Sequence, residues 1–194
     1  MLLKMRLTKY ILHGGNAGEI NNDNNSFFRE MTLNLDGKIK VLLNYFSRDV
    51  GEHKKLAEQD RKILFKISKN KDLEFQVANI KDFEKQLKWM NVMYMRGGIT
   101  EKLMKKLKNI KNIERFFYGK VIAGSSAGAY ALSKYYYGND SKRLGKGLGI
   151  INIKCYCHCK PKDTKIVRKI MRYKEKLPLI LLPNYKMHII YKKY

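Results

Sequence analysis

The sequence predicts an α/β protein built on a mostly parallel sheet. Short apolar runs alternate with longer segments of helical period, the pattern of strands joined by crossover helices. Glycine-rich turns follow three of the apolar runs directly, at His13-Gly14-Gly15-Asn16, Arg96-Gly97-Gly98-Ile99 and Ala123-Gly124-Ser125-Ser126-Ala127-Gly128. Apolar residues make up 44% and aromatics 11%, enough material to bury a core despite the heavy charge.

Taken in order, the first strand is expected over Lys9 to His13. The Asn-rich run at 21–25 reads as a polar loop leading into a helix over Asn25 to Leu35. Further strands are expected over Ile39 to Phe46, Leu73 to Ala78, Val92 to Arg96, Lys120 to Ala123, Gly149 to Cys155, Leu179 to Leu182 and Met187 to Tyr191. That makes eight strands at most. Between them, Glu52 to Asn70, Ile80 to Lys88, Thr100 to Ile110, Ala127 to Tyr137 and Asp163 to Tyr173 carry helical spacing and caps. Such crossovers are right-handed and cover both faces of the sheet.

A chain of 194 residues suits one domain, spanning residues 1–194, because a second would leave each half a thin core. Lys and Arg number 41 against 17 Asp and Glu, a net charge of +24. These lysines are spread along the chain rather than gathered into a stripe, so composition bias is expected and dedicated nucleic-acid binding is not. The longest apolar stretch, Leu177 to Pro183, falls far short of the ~20 residues that span a bilayer. Lys4, Arg6 and Lys9 interrupt the apolar run that a secretory signal needs, and a cytoplasmic address is expected. All three cysteines lie in Cys155-Tyr156-Cys157-His158-Cys159. On a strand, alternate thiols stand roughly 6.6 Å apart, too wide for two ligands on one tetrahedral zinc, so small buried cysteines are expected rather than a metal site. An uncovered edge at Met187 to Tyr191 would pair between subunits, leaving monomer and homodimer both open.

In open parallel sheets, ligands collect where strands end and helices begin. Gly124-Ser125-Ser126-Ala127-Gly128 fits G-x-S-x-G in that strand-turn-helix setting, which makes Ser126 a nucleophile candidate. The glycines matter because a strand that reverses into a helix within a few residues crowds the backbone on both sides of the serine. The N–H of Ala127 would be the first oxyanion donor. A plain Gly/Ser turn or a phosphate loop is the alternative, though no Walker lysine follows. Of the four histidines, His158 is best placed as the base, 32 residues beyond Ser126 and at a strand end. Asp140 lies between them, 14 residues after the serine, and would orient the imidazole, unless it serves only the turn at Asn139-Asp140.

These residues, with Tyr94-Met95-Arg96-Gly97-Gly98-Ile99-Thr100 upstream and Gly147-Leu148-Gly149-Ile150 leading to His158, resemble the dipeptidase E and cyanophycinase family of serine peptidases. The resemblance runs from Tyr10 to about Tyr185. It implies a three-layer α/β/α sandwich with a mostly parallel central sheet, like class I glutamine amidotransferases, and hydrolysis of short peptides beside aspartate. It also implies a Ser126, His158, Asp140 triad, a second oxyanion N–H from the Gly97-Gly98 loop, most naturally Gly98, and no metal or cofactor. Two positions depart from the family pattern. Ile99 replaces an asparagine beside the oxyanion loop, and Lys165, with Arg168 one turn on, stands where relatives selective for aspartate carry an arginine. The other function in view is a non-catalytic module on the same fold, holding a small molecule at its glycine-rich strand ends.

Overall fold

The structure is a computed structural model and describes residues 7–194. Lys4 and Arg6, two of the charges expected to break the N-terminal apolar run, lie outside the described residues. The chain forms β1 (Leu7–His13), α1 (Asn22–Thr32), β2 (Ile39–Asn44), α2 (His53–Ile67), β3 (Leu73–Val77), α3 (Phe83–Trp89), β4 (Val92–Met95), α4 (Thr100–Leu107), β5 (Val121–Ser125) and α5 (Ala127–Leu132). It continues through β6 (Ser133–Gly138), β7 (Arg143–Lys146), β8 (Ile151–Cys157), α6 (Thr164–Arg172), β9 (Leu179–Leu182) and β10 (Met187–Lys193).

The strands lie in two sheets rather than in one central sheet. Six run in the order β10-β1-β5-β4-β2-β3 and four in the order β7-β6-β8-β9. All neighbours are parallel except β10 on β1 and β7 on β6. Strand alternation divides the core. Ile11, Val41, Leu43, Tyr94 and Ala123 meet α1 and α2 on one face of the larger sheet. Tyr10, Leu12, Leu42, Met93 and Ile122 meet α3, α4 and α5 on the other, in a cluster that also takes in Tyr136, Ile153, Cys155 and Leu182 of the smaller sheet. Mostly parallel sheets with helices on both sides are thus the architecture. Among the described residues no helix is long and apolar enough to cross a membrane.

Four expectations need correction. Asn21 accepts the Asn24 N–H at 2.8 Å and caps α1, so the helix starts at Asn22 inside the stretch read as loop. Ser68 has extended backbone and ends α2 before Asn70. The helix expected to reach Tyr137 stops at Leu132. The Ser133 hydroxyl bonds back to the Tyr130 carbonyl at 2.9 Å, and Tyr135-Tyr136-Tyr137 favour a pleated surface, so this segment becomes β6. With β7 paired to it, ten strands form among the described residues where eight were the expected limit.

Candidate active site

The carboxyl ends of β1, β4, β5 and β8 converge on one cavity of about 600 Å³. Ser126 follows β5 and sits at φ 48° and ψ −102°, a left-handed bend that lifts its hydroxyl out of the strand line. The bend is crowded on both sides. A Cβ on Gly124 would collide with the Gly128 backbone, and one on Gly128 with the Met95 carbonyl. The Ser126 N–H is tied to the His13 carbonyl at 2.9 Å, which anchors the bend to β1.

His158 leaves β8 at φ 54°, and this left-handed step swings its ring over the bend. Nε2 lies 2.9 Å from Ser126 Oγ. The ring fills space that only glycine leaves open, because a Cβ on Gly15 would overlap it. His158 N–H donates to the Gly14 carbonyl at 3.0 Å, and the Tyr185 N–H donates to the Gly15 carbonyl at 3.2 Å. The β1 loop thereby joins the histidine to the segment that follows β9.

That segment supplies the partner of the other ring nitrogen. Nδ1 lies 2.6 Å from Asn184 Oδ1. An amide oxygen only accepts, so Nδ1 carries the hydrogen and Nε2 turns a lone pair to the serine hydroxyl. Asp140, read from the sequence as the orienting acid, is exposed and lines the cavity mouth. It makes no hydrogen bond to His158; the loop after β6 brings it only to the cavity lining, while the chain after β9 supplies the partner of Nδ1. Asn184 was missed because a Pro-Asn-Tyr loop carries no sequence signal that pairs it with a histidine 26 residues earlier.

The basic residues also differ from expectation. Lys165 and Arg168 line a separate groove along α6, with Lys169 and Arg172. Ile170 packs on Tyr137 and Tyr156, so α6 turns its basic face to solvent, in a groove that does not include Ser126. The cavity instead carries Arg48 and Arg96. Arg96 is almost fully buried; Nη1 bonds Asp60 Oδ1 at 2.5 Å and Nη2 bonds Gln59 Oε1 at 2.9 Å. Tyr45 donates to the other Asp60 oxygen at 2.8 Å. Asp60 is fully buried, so removing Arg96 would strand its carboxylate. Arg96 was legible as a strand-end residue, but its pairing with a helix residue 36 positions earlier was not.

Gly97 and Gly98 lie beside the serine; a Cβ on Gly97 would come 3.2 Å from the Ser126 Cβ. Ala127 opens α5, and its N–H, in the first turn, has no intrahelical partner. Behind the bend, His13 is buried, stacks on Phe27 with ring centroids 4.3 Å apart, and lies 3.2 Å from Ser125 Oγ through Nδ1. Burial pushes it down to about 4, so its ring is neutral near neutral pH. Cys155 and Cys157 face the same side of β8 with sulfurs 3.8 Å apart, closer than the strand rise alone predicts because the two side chains lean together, and burial pushes the Cys157 thiol up. Among the described residues no three His, Cys, Asp or Glu side chains converge as a metal site would need.

Comparison with known proteins gives the family. The fold is similar to that of a candidate peptidase E protein from Listeria monocytogenes EGD-e, at a TM-score of 0.65 and 19% identity, covering 97% of this chain and 99% of that one. It is also similar to a peptidase from an acI-B1 Actinobacterium, at a TM-score of 0.67 and 16% identity, covering 100% of this chain and 90% of that one. No curated protein matches the sequence. The profile of peptidase family S51 matches residues 13–193. The chain belongs to peptidase family S51, the dipeptidase E family.

Proposed function

We propose that the protein is a serine hydrolase cleaving short peptides, with Ser126 as nucleophile and His158 as its base. The observation that carries this reading is the 2.9 Å approach of His158 Nε2 to Ser126 Oγ on a left-handed bend. In the first step Nε2 takes the hydroxyl proton as Oγ bonds to the scissile carbonyl carbon. The N–H groups of Ala127 and Gly98 hold the oxygen that becomes negative. The imidazolium then gives its proton to the departing amine, leaving an acyl group on Ser126. Water, deprotonated by the same nitrogen, releases the acid and restores the hydroxyl. Asn184 holds the ring in the tautomer that the first step needs.

A cavity of about 600 Å³ suits a small ligand rather than a folded polypeptide, which supports short peptides as substrates. A fluorophosphonate probe should label the wild type and not Ser126→Ala, and Ser126→Ala should lose at least about three decades of turnover on a dipeptide library. Equal labelling of both proteins, or thermal stabilisation by a small ligand with no hydrolysis of any dipeptide, would support the binding-module alternative instead.

A further inference from the structure

We infer that Ser47 and Arg48, in the loop after β2, are positioning residues that aim and strengthen the oxyanion donor of the Gly97-Gly98 loop. The inference rests on the serine-hydrolase reading above. Three hydrogen bonds splint one loop to the other. Ser47 Oγ donates to the Arg96 carbonyl at 2.7 Å, Arg48 Nε donates to the Gly97 carbonyl at 2.6 Å, and the Ile99 N–H donates to the Ser47 carbonyl at 2.9 Å. The loops are in close contact, since a Cβ on Gly98 would lie 2.5 Å from the Ser47 carbonyl oxygen and 2.9 Å from Arg48 Nε.

The planar peptide converts these bonds into a direction. In a trans unit the C=O and the following N–H point opposite ways. Pulling the Gly97 carbonyl toward Arg48 therefore turns the Gly98 N–H away from the β2 loop. Ser47, by holding the Arg96 carbonyl, does the same for the Gly97 N–H. Neither amide hydrogen has a protein partner among the described residues, so each remains free for a ligand. A charged donor on the carbonyl oxygen also polarises the peptide and makes its N–H a stronger donor. Ile99 is exposed and contributes only its backbone, so the Arg48 guanidinium supplies the polar support at this loop. Its Nη1 is 3.8 Å from Glu52, a contact at the rim that leaves the Nε bond to Gly97 intact.

The prediction separates transition-state from ground-state binding. In the full chain, Arg48→Met should lower kcat by about 10- to 100-fold on a dipeptide that the wild type cleaves, with KM within about twofold. The affinity of a peptide aldehyde, which adds to Ser126 Oγ and places an oxyanion, should weaken by the same factor. Binding of the uncleaved dipeptide to the Ser126→Ala protein should be unchanged when Arg48→Met is added. If Arg48→Met does not fold, Arg48→Lys and Ser47→Ala should show the same split in smaller measure. A rise in KM at constant kcat would make Arg48 a substrate-binding residue and overturn the inference. So would a loss of kcat without weaker aldehyde binding, or no change at all. Full turnover in Ser126→Ala would instead overturn the serine mechanism beneath it.

Discussion

His158 has two ring nitrogens, and in this chain they face different partners. Nε2 meets the nucleophile candidate, and Nδ1 meets an amide rather than a carboxylate. An amide oxygen fixes the tautomer and the ring plane but brings no negative charge to the imidazolium, so what it contributes is orientation. Asn184→Ala should therefore cost about 100-fold in kcat, while Asn184→Asp, which keeps an acceptor, retains most of it. Asp140→Asn should leave turnover near that of the wild type; steady-state kinetics on the three variants decides which residue holds the ring. The approach of His158 to Ser126 was legible because the surroundings of each are local: glycines flanking the serine turn, and a histidine at a strand end. Asn184 and the Asp60–Arg96 pair were not, since their partners come together only when β9 and α2 are in place.

The element that sets the site is the strand-to-helix reversal between β5 and α5. Its two glycines are required by space, because the Gly124 and Gly128 backbones press on each other and on the end of β4. Gly128→Ala would drive a methyl into the Met95 carbonyl, and overpacking of this kind costs about 1 to 3 kcal/mol. A lowered denaturant midpoint at unchanged m is expected, together with slower fluorophosphonate labelling as Ser126 is displaced. The same reversal shows where periodicity misleads. A helical spacing continues past Leu132 in the sequence, but three consecutive tyrosines pack better on a sheet. Tyr136 stacks on Tyr130 at 4.7 Å, and β6 takes β8 as its parallel neighbour. Pairing with a strand still to come in the sequence overrode the local pattern.

Across the whole molecule, charge and burial act together at low pH. The net charge of +24 grows as carboxylates protonate, adding self-repulsion. His13 adds a specific component. Its folded value, about 4, lies below the ordinary 6.5, so the unfolded chain binds the proton first. The stability it contributes is present above about 6.5 and is lost as pH falls through about 4, up to about 3 kcal/mol in all. Thermal midpoints should drop across that window, and His13→Gln, which cannot take the proton, should flatten the slope. An unchanged slope would mean that the self-repulsion accounts for the whole effect. The α/β class, the alternation of strands with crossover helices and the serine bend were legible in the amino-acid order alone, because these follow from spacing and steric need within a few residues. Packing settled the rest: the strands divide into two sheets, Asn184 rather than Asp140 meets the imidazole, and Arg48 and Arg96 rather than Lys165 and Arg168 line the cavity at Ser126. Those outcomes depend on contacts between segments tens of residues apart, whose geometry is fixed when the sheets and helices pack and is written in no local pattern.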